Sequence, residues 1–317
     1  MRPDLPAAFL SGYMMTITKD QLSLSKETRK KMVPYLLIAP VVIYYSMFWL
    51  FPVLNAIIES FKDVDGIWTF GNYIHIFKDP VFYEALSNTA FIVIFSVTIE
   101  FILAFGLALL INKKFRGSSM FLFLAMIPMS LPAVAVGAMW SSGLATRGWL
   151  NSFLMNFGFI DDASKILFLA GGKMSTMLLI IIIDAWTVIP FVMIILLAGL
   201  QGVGEDVREA GAIFGGTKFQ ILRKITIPML KPTITTAMIL RIISAIQIWL
   251  IIVLLYGFNR LPVLLEQVVL NYDQLGAEYF ERIGLALSVV VAIIVSAAAI
   301  FYLKVSGSFE KEEKQDE

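Results

Sequence analysis

The sequence predicts an all-α, polytopic membrane protein with six transmembrane helices, and three observations carry that prediction. Its 317 residues are 58% hydrophobic and only 15% charged, with a mean hydropathy of +0.81. A water-facing surface needs far more charge than that, so the bilayer is the expected solvent. Six stretches each reach the roughly 20 mostly apolar residues that a bilayer-crossing helix needs. Lys and Arg fall unevenly on the loops between those stretches, which is the signature of a fixed orientation.

The six spans are expected near residues 35–58, 86–111, 120–139, 176–199, 233–257 and 283–302. The first is too long for the apolar region of a cleaved signal peptide and follows a basic tail of about 30 residues (Arg2, Lys19, Lys26, Arg29, Lys30, Lys31). The second carries Gly106 between Ala104 and Ala108. Small residues of this kind let helices approach closely where lipid offers no hydrophobic drive. The third holds Pro128 and Pro132, and the fourth holds Pro190. Proline inside a span frees backbone carbonyls and kinks the helix. Irregular packing and a polar cavity both accommodate such kinks, and the sequence does not choose between them.

With both termini on one side, that side holds 17 Lys/Arg and the other 7, leaving Arg241 inside the fifth span. The positive-inside rule therefore places both termini, and the loop between spans four and five, in the cytoplasm. The organisation expected is a cytoplasmic tail at 1–32, a transmembrane domain at 33–305 and a cytoplasmic tail at 306–317 ending in the acidic run 310–317. The net charge of +1 gives no electrostatic case for nucleic acid. There is no cysteine and one histidine, His75, read as an exposed loop residue. Thiolate metal sites, disulfides and His-based clusters are thereby excluded, and no metal site or catalytic residue is expected. No Gly-x-x-x-x-Gly-Lys-Ser/Thr loop occurs, so no nucleotide is expected to bind this chain.

The loop at 200–232 is the most informative stretch. Val207, Ala210, Gly211 and Phe214 recur at i, i+3, i+4 and i+7, one apolar stripe on a short helix, with Asp206, Arg208 and Glu209 off it. Gly215-Gly216 ends that helix. A second short helix follows, with Phe219 and Leu222 on one side and Lys218, Arg223 and Lys224 around it; Pro228 and Pro232 interrupt the chain before the fifth span. A short helix with such a stripe suits a groove on a partner protein, with Glu209 available to a cation there. An interfacial helix lying on lipid is the other reading.

Glu209, Ala210, Gly215, Ile225 and Pro228 keep the spacing of the EAA loop, and in these residues the chain resembles the permeases of binding-protein-dependent ABC importers. Gly211 stands where that motif has a second alanine, and Ile227 where it has leucine. Further landmarks are similar to those of carbohydrate-importer permeases of the maltose and glycerol-3-phosphate types. These are Phe70-Gly71-Asn72-Tyr73, Asn88-Thr89, Gly148-Trp149-Leu150-Asn151, Asp184-Ala185-Trp186, Pro190-Phe191 and Ala198-Gly199-Leu200-Gln201. The likeness spans residues 33–305. It implies the type I ABC importer permease fold, in a prokaryotic cell membrane. It implies a second, homologous permease subunit, two ATPase subunits that supply ATP and magnesium chemistry, and an external solute-binding protein. It makes Val207, Glu209, Ala210, Gly211, Phe214, Gly215, Ile225 and Pro228 the ATPase-docking set. It implies alternating access, driven by ATP binding and hydrolysis in the partner, with a sugar or polyol as the solute.

Three ionisable residues fall within spans: Glu100, Asp184 and Arg241. Such residues face a partner or a cavity. Arg241 sits about nine residues into its span, so a snorkelled guanidinium, a Glu100–Arg241 pair and a path-lining role all stay open. Ser244, Gln247 and Trp249, followed by Tyr256 and Asn259, complete the candidate translocation path, because sugars are held by hydrogen bonds and aromatic faces. Here the chain departs from the related permeases: Leu250 stands where they carry an acid, and residues 256–262 replace a Gly-Gly-Gly-Pro loop. An ion-gradient-driven carrier is the alternative reading, with Glu100 and Asp184 as its only support and no matched halves. An intramembrane enzyme has no constellation to stand on.

Overall fold

A computed structural model describes residues 30–162, 166–274 and 278–307. The tail up to Arg29, Lys165 and the acidic run 310–317 lie outside the described residues. The regular secondary structure of the described residues is helical, apart from an isolated antiparallel bridge between Lys62 and Trp68. It divides into two units, residues 1–59 and 60–317.

Helix α1, Lys30–Ser60, supplies the described part of the first unit, and its most apolar window has no buried residue. Its ladder slips to π-helix over Ser46–Leu50, where the Phe51 N–H reaches the Ser46 carbonyl. The cause is Pro52, which offers no N–H and whose ring crowds the carbonyl one turn back. The same device recurs at Leu222–Thr226, where the Ile227 N–H bonds to Leu222 ahead of Pro228.

The second unit is built from helices α2 (Gly71–Lys78), α3 (Pro80–Asn112), α4 (Ser118–Met126), α5 (Ala133–Leu144), α6 (Trp149–Asn156) and α7 (Lys173–Gly202). Then come α8 (Glu205–Ile213), α9 (Lys218–Met229), α10 (Lys231–Ile246), α11 (Leu250–Tyr256), α12 (Leu264–Val269) and α13 (Glu278–Ser306). The most extensive pairing is α3 on α7. At one end of that pair, Ala104, Ala108 and Ile111 pack on Val192, Met193, Leu196 and Leu200, with Ala237 of α10. At the other, Ile92 meets Ile180, Ile183, Ile252 and Leu261. A third cluster joins α2, α12 and α13 through Ile76, Leu264, Ile283 and Leu287. Ala104 and Ala108 are fully buried, as close approach requires, whereas Gly106 faces outward.

Four helices are long and apolar enough to cross a membrane as single spans: α1, α3, α7 and α13. The other two spans are bent. Ser118–Ser130 and Ala133–Leu144 meet at 93°, so the third span is not the continuous helix expected over 120–139. Pro132 disfavours the helical conformation at Leu131, which sits at φ −82°, ψ 132°. Pro190, by contrast, stays inside α7. The fifth span differs more. Lys218–Met229 and Lys231–Ile246 meet at 68°. The helix then stops at Gln247, and α11 starts afresh after Trp249 at φ −157°, ψ −46°. The uninterrupted helix expected over 233–257 is therefore two pieces, and α11 packs on α5 instead. There a Cβ on Gly137 would lie 2.8 Å from the Leu254 Cβ, so only glycine admits that approach.

His75 is exposed, but on α2 and edge-on to Tyr279, not in a loop. Two loops of the unit are tied by side chains. Asn72 donates to the Ser60 and Lys62 carbonyls at 2.9 Å. Asn151 bonds both ways with Ile166, at 2.9 and 3.1 Å.

Candidate functional site

The buried centre is a charge network on three spans. Arg241 of α10 turns its guanidinium into the bundle, 3% exposed, between Glu100 of α3 (0%) and Asp184 of α7 (12%). It grips Glu100 as a fork: Nε donates to one carboxylate oxygen, and Nη2 donates to the other at 3.0 Å. Nη2 also donates to Asp184. Ser96 accepts from Nη2, and Ser244 from Nη1, both at 3.2 Å. The paired arrangement is what the low dielectric of a span selects, because an ion stranded there is expensive. Snorkelling, left open by the sequence, does not occur. Asp184 joins the pair as a second carboxylate, which single-pair reasoning missed. Ser96 was missed too; its signal was its place one turn from Glu100 on the same helix face.

A cavity of about 300 Å³ opens beside this network, at the lower end of the range for small-ligand sites. Asp184, Arg241, Ser244, Gln247 and Trp249 all line it, together with Thr187 and Met129. The break at 247–249 forms part of its wall, and irregular backbone inside a membrane is tolerated where it borders a cavity or buried protein. Hydroxyl, amide, carboxylate and indole groups thus face one space, the donor and acceptor set that a polyhydroxylated solute can use. Three of the residues singled out from the sequence stand off it. Glu100 lies behind Arg241. Tyr256 packs at the edge of the Ile92 cluster. Asn259, at φ 60°, belongs to the loop after α11. Its N–H donates to Glu266 at 2.6 Å and its Oδ1 accepts from Gln267 at 3.0 Å. That loop is latched to α3, where Asn88 donates to the Pro262 carbonyl at 2.8 Å and Thr89 accepts from the Leu264 N–H at 3.0 Å.

The second feature is the hairpin of α8 and α9. Gly215, at φ 79°, closes α8 in a left-handed cap: the Gly216 N–H reaches the Gly211 carbonyl at 3.0 Å, and the Gly215 N–H reaches Ala212 at 2.9 Å. Thr217 and Gln220 then start α9 with a reciprocal capping box. The four residues of the expected stripe do not share one exposed face. Val207 and Gly211 turn inward, and a Cβ on Gly211 would meet the Ile225 Cδ1 at 2.7 Å. Glycine there serves close packing of α8 on α9. Ala210 and Phe214 are exposed, as are Glu209, Gly215 and Pro228. The apolar tip is made by Ile213 (84% exposed) and Phe214 (91%), with Phe219 nearby in sequence and also exposed. Ile213 was missed because it lies off the i, i+3, i+4, i+7 stripe; the cap at Gly215 is what leaves it outside.

A family model for the binding-protein-dependent transport system inner membrane component matches residues 100–306. The chain is 29% identical over 297 residues to the trehalose/maltose transport system permease protein MalF of Thermococcus litoralis, covering 90% of this chain and 96% of that one. It is 30% identical over 239 residues to the trehalose transport system permease protein SugA of Mycobacterium tuberculosis, covering 75% and 74%. A chain of a bacterial ABC transporter involved in importing the acidic polysaccharide alginate superposes with a TM-score of 0.78 at 21% identity, over 90% of this chain and 98% of that one. The last likeness is one of fold. A multi-pass membrane helix bundle of this architecture, matched over most of its length, belongs to the family of binding-protein-dependent transport system inner membrane components.

Proposed function

We propose that this chain is one permease subunit of an ATP-driven importer of a saccharide, with residues 33–305 as the transport domain and 200–232 as its coupling loop. The observation that carries the coupling part is the α8 tip: two large apolar side chains held almost fully exposed by a glycine cap on a short polar helix. Exposed apolar patches of this kind mark contact sites, and an ATPase subunit is the partner the family implies. A second permease subunit and an external solute-binding protein complete the assembly in this reading; a neighbouring solved structure holds its transporter with a substrate-loaded periplasmic protein. Both termini and the α8–α9 hairpin lie on the cytoplasmic side, as the Lys/Arg bias supports. The saccharide class rests on the relatives, whose names specify trehalose, maltose and lactose.

In this mechanism ATP binding moves the α8 tip and shifts the bundle between two packed states that bind the docking partner unequally. The cavity beside Arg241 is then a stretch of the translocation path. Gln247, Ser244 and Trp249 offer hydrogen bonds and an aromatic face, while Asp184 is already bonded to Arg241. An ion-coupled carrier needs a midplane acid free to take up its ion. Glu100 and Asp184 are both occupied by Arg241, which favours the ATP-driven reading. Reconstitution in proteoliposomes with the cognate ATPase, second permease and binding protein tests it. Uptake of a radiolabelled disaccharide or oligosaccharide should require ATP and all four components. Uptake by this chain alone on a proton or sodium gradient would overturn the reading.

A further inference from the structure

We propose that the open cavity between the turn after α3 and the α8–α9 hairpin is a binding site for a phosphate-bearing anion. The cavity has a volume of about 1010 Å³. Its charged lining is Lys113, Lys114, Arg208 and Lys218 against a single carboxylate, Glu205. Arg208 is half-buried, and its Nε is buried with no hydrogen-bond partner among the described residues. A buried guanidinium donor left unmatched is a standing demand for an acceptor. The turn that supplies two of the lysines is itself held in an uncommon conformation: Lys114 sits at φ 50°, a region that costs a non-glycine residue energy and persists where the surroundings impose it.

The chemistry selects phosphate. The planar Arg fork matches tetrahedral oxygens, and lysines add point charge without demanding geometry. The position matches a membrane-surface anion as well, because the cavity lies where the spans α3 and α7 end, bordered by Asn112 and Gln201. Basic pockets at that depth suit anionic headgroups. A phospholipid headgroup and a soluble phosphate monoester share this chemistry. The inference rests on charge and placement and is independent of the coupling assignment, since it is tested on this chain without an ATPase subunit.

Isothermal titration calorimetry of the full-length chain in uncharged detergent distinguishes the sources. The titrants are dihexanoyl-phosphatidylglycerol and dihexanoyl-phosphatidylcholine below their micelle concentrations, and glycerol 3-phosphate. Saturable binding of phosphatidylglycerol but not phosphatidylcholine is expected. Arg208→Gln combined with Lys113→Gln should weaken it by about tenfold or more, the loss of a charge-assisted bond. Arg208→Lys, which keeps the charge, should lose less and guards against a misfolded variant. Arg223→Gln with Lys224→Gln, cations of the same hairpin outside the cavity, should leave affinity unchanged. If glycerol 3-phosphate binds as tightly as the lipid, the ligand is a soluble phosphate; if it does not, the headgroup in its membrane is the ligand. Three results would overturn the site. The first is no saturable binding of any titrant. The second is equal weakening by the control pair. The third is anion binding unaffected by the cavity variants.

Discussion

At the scale of single residues, the account turns on what a bilayer does to charge. Arg241, Glu100 and Asp184 sit where an unpaired ion is intolerable, and they hold one another across three spans. Removing the shared partner is therefore the most damaging single change. Arg241→Leu strands two carboxylates and should cost about 3–5 kcal/mol, read as a lower melting temperature of the purified protein in detergent. An unchanged melting temperature would remove the network from the stability account. Ala108 is a steric counterpart, fully buried between α3 and α7. Ala108→Leu should overpack that contact by about 1–3 kcal/mol, and full stability in the same assay would mean the contact is looser than its burial implies. The three ions were legible from the sequence as residues out of place in apolar spans. A Glu100–Arg241 pair was among the readings the sequence left open; that Asp184 shares the same guanidinium was not, because it depends on the rotation of each helix about its axis, which neighbouring helices set. Asn259 shows the same limit: a polar residue beside a span read as path-lining, yet it latches a loop to Glu266 and Gln267.

At the scale of elements, proline and glycine explain most of the irregularities, but the break in the fifth span has neither. The bend at Leu131-Pro132, the π-turns before Pro52 and Pro228, and the α8 cap at Gly215 all follow from local chemistry. The presence of Pro132 and Gly215 was visible in the sequence; the 93° angle was not, since it depends on what α5 packs against. The break at Gln247–Trp249 has no proline or glycine to announce it. It arises because α11 finds its contact on α5, where Gly137 leaves room for Leu254. The α8–α9 hairpin yields a prediction at this scale. Gly215→Pro cannot adopt φ 79° and loses the N–H that closes the cap. It should uncouple ATP hydrolysis from uptake in the reconstituted complex while the spans stay folded. Glu209→Lys should do the same by reversing an exposed charge on α8. Normal ratios of solute moved to ATP hydrolysed in both variants would detach the hairpin from coupling.

At the scale of the whole molecule, six spans and the family resemblance were legible from hydropathy, the EAA-type spacing and the ordered landmarks. Composition alone gave the membrane but not the family. What ties the parts into a machine is one claim: the exposed tip of α8 is where a separate ATPase subunit pushes. The chain has no cysteine, so a single thiol can be placed without disturbing a native one. The most direct measurement is oxidative cross-linking of a Phe214→Cys variant to single-cysteine ATPase subunits in membranes holding the assembled complex. The account predicts a nucleotide-sensitive cross-link from Phe214→Cys, and none from Phe153→Cys on α6, an exposed aromatic position between spans three and four. No cross-link from Phe214→Cys to any ATPase position, or one from Phe153→Cys, would contradict it.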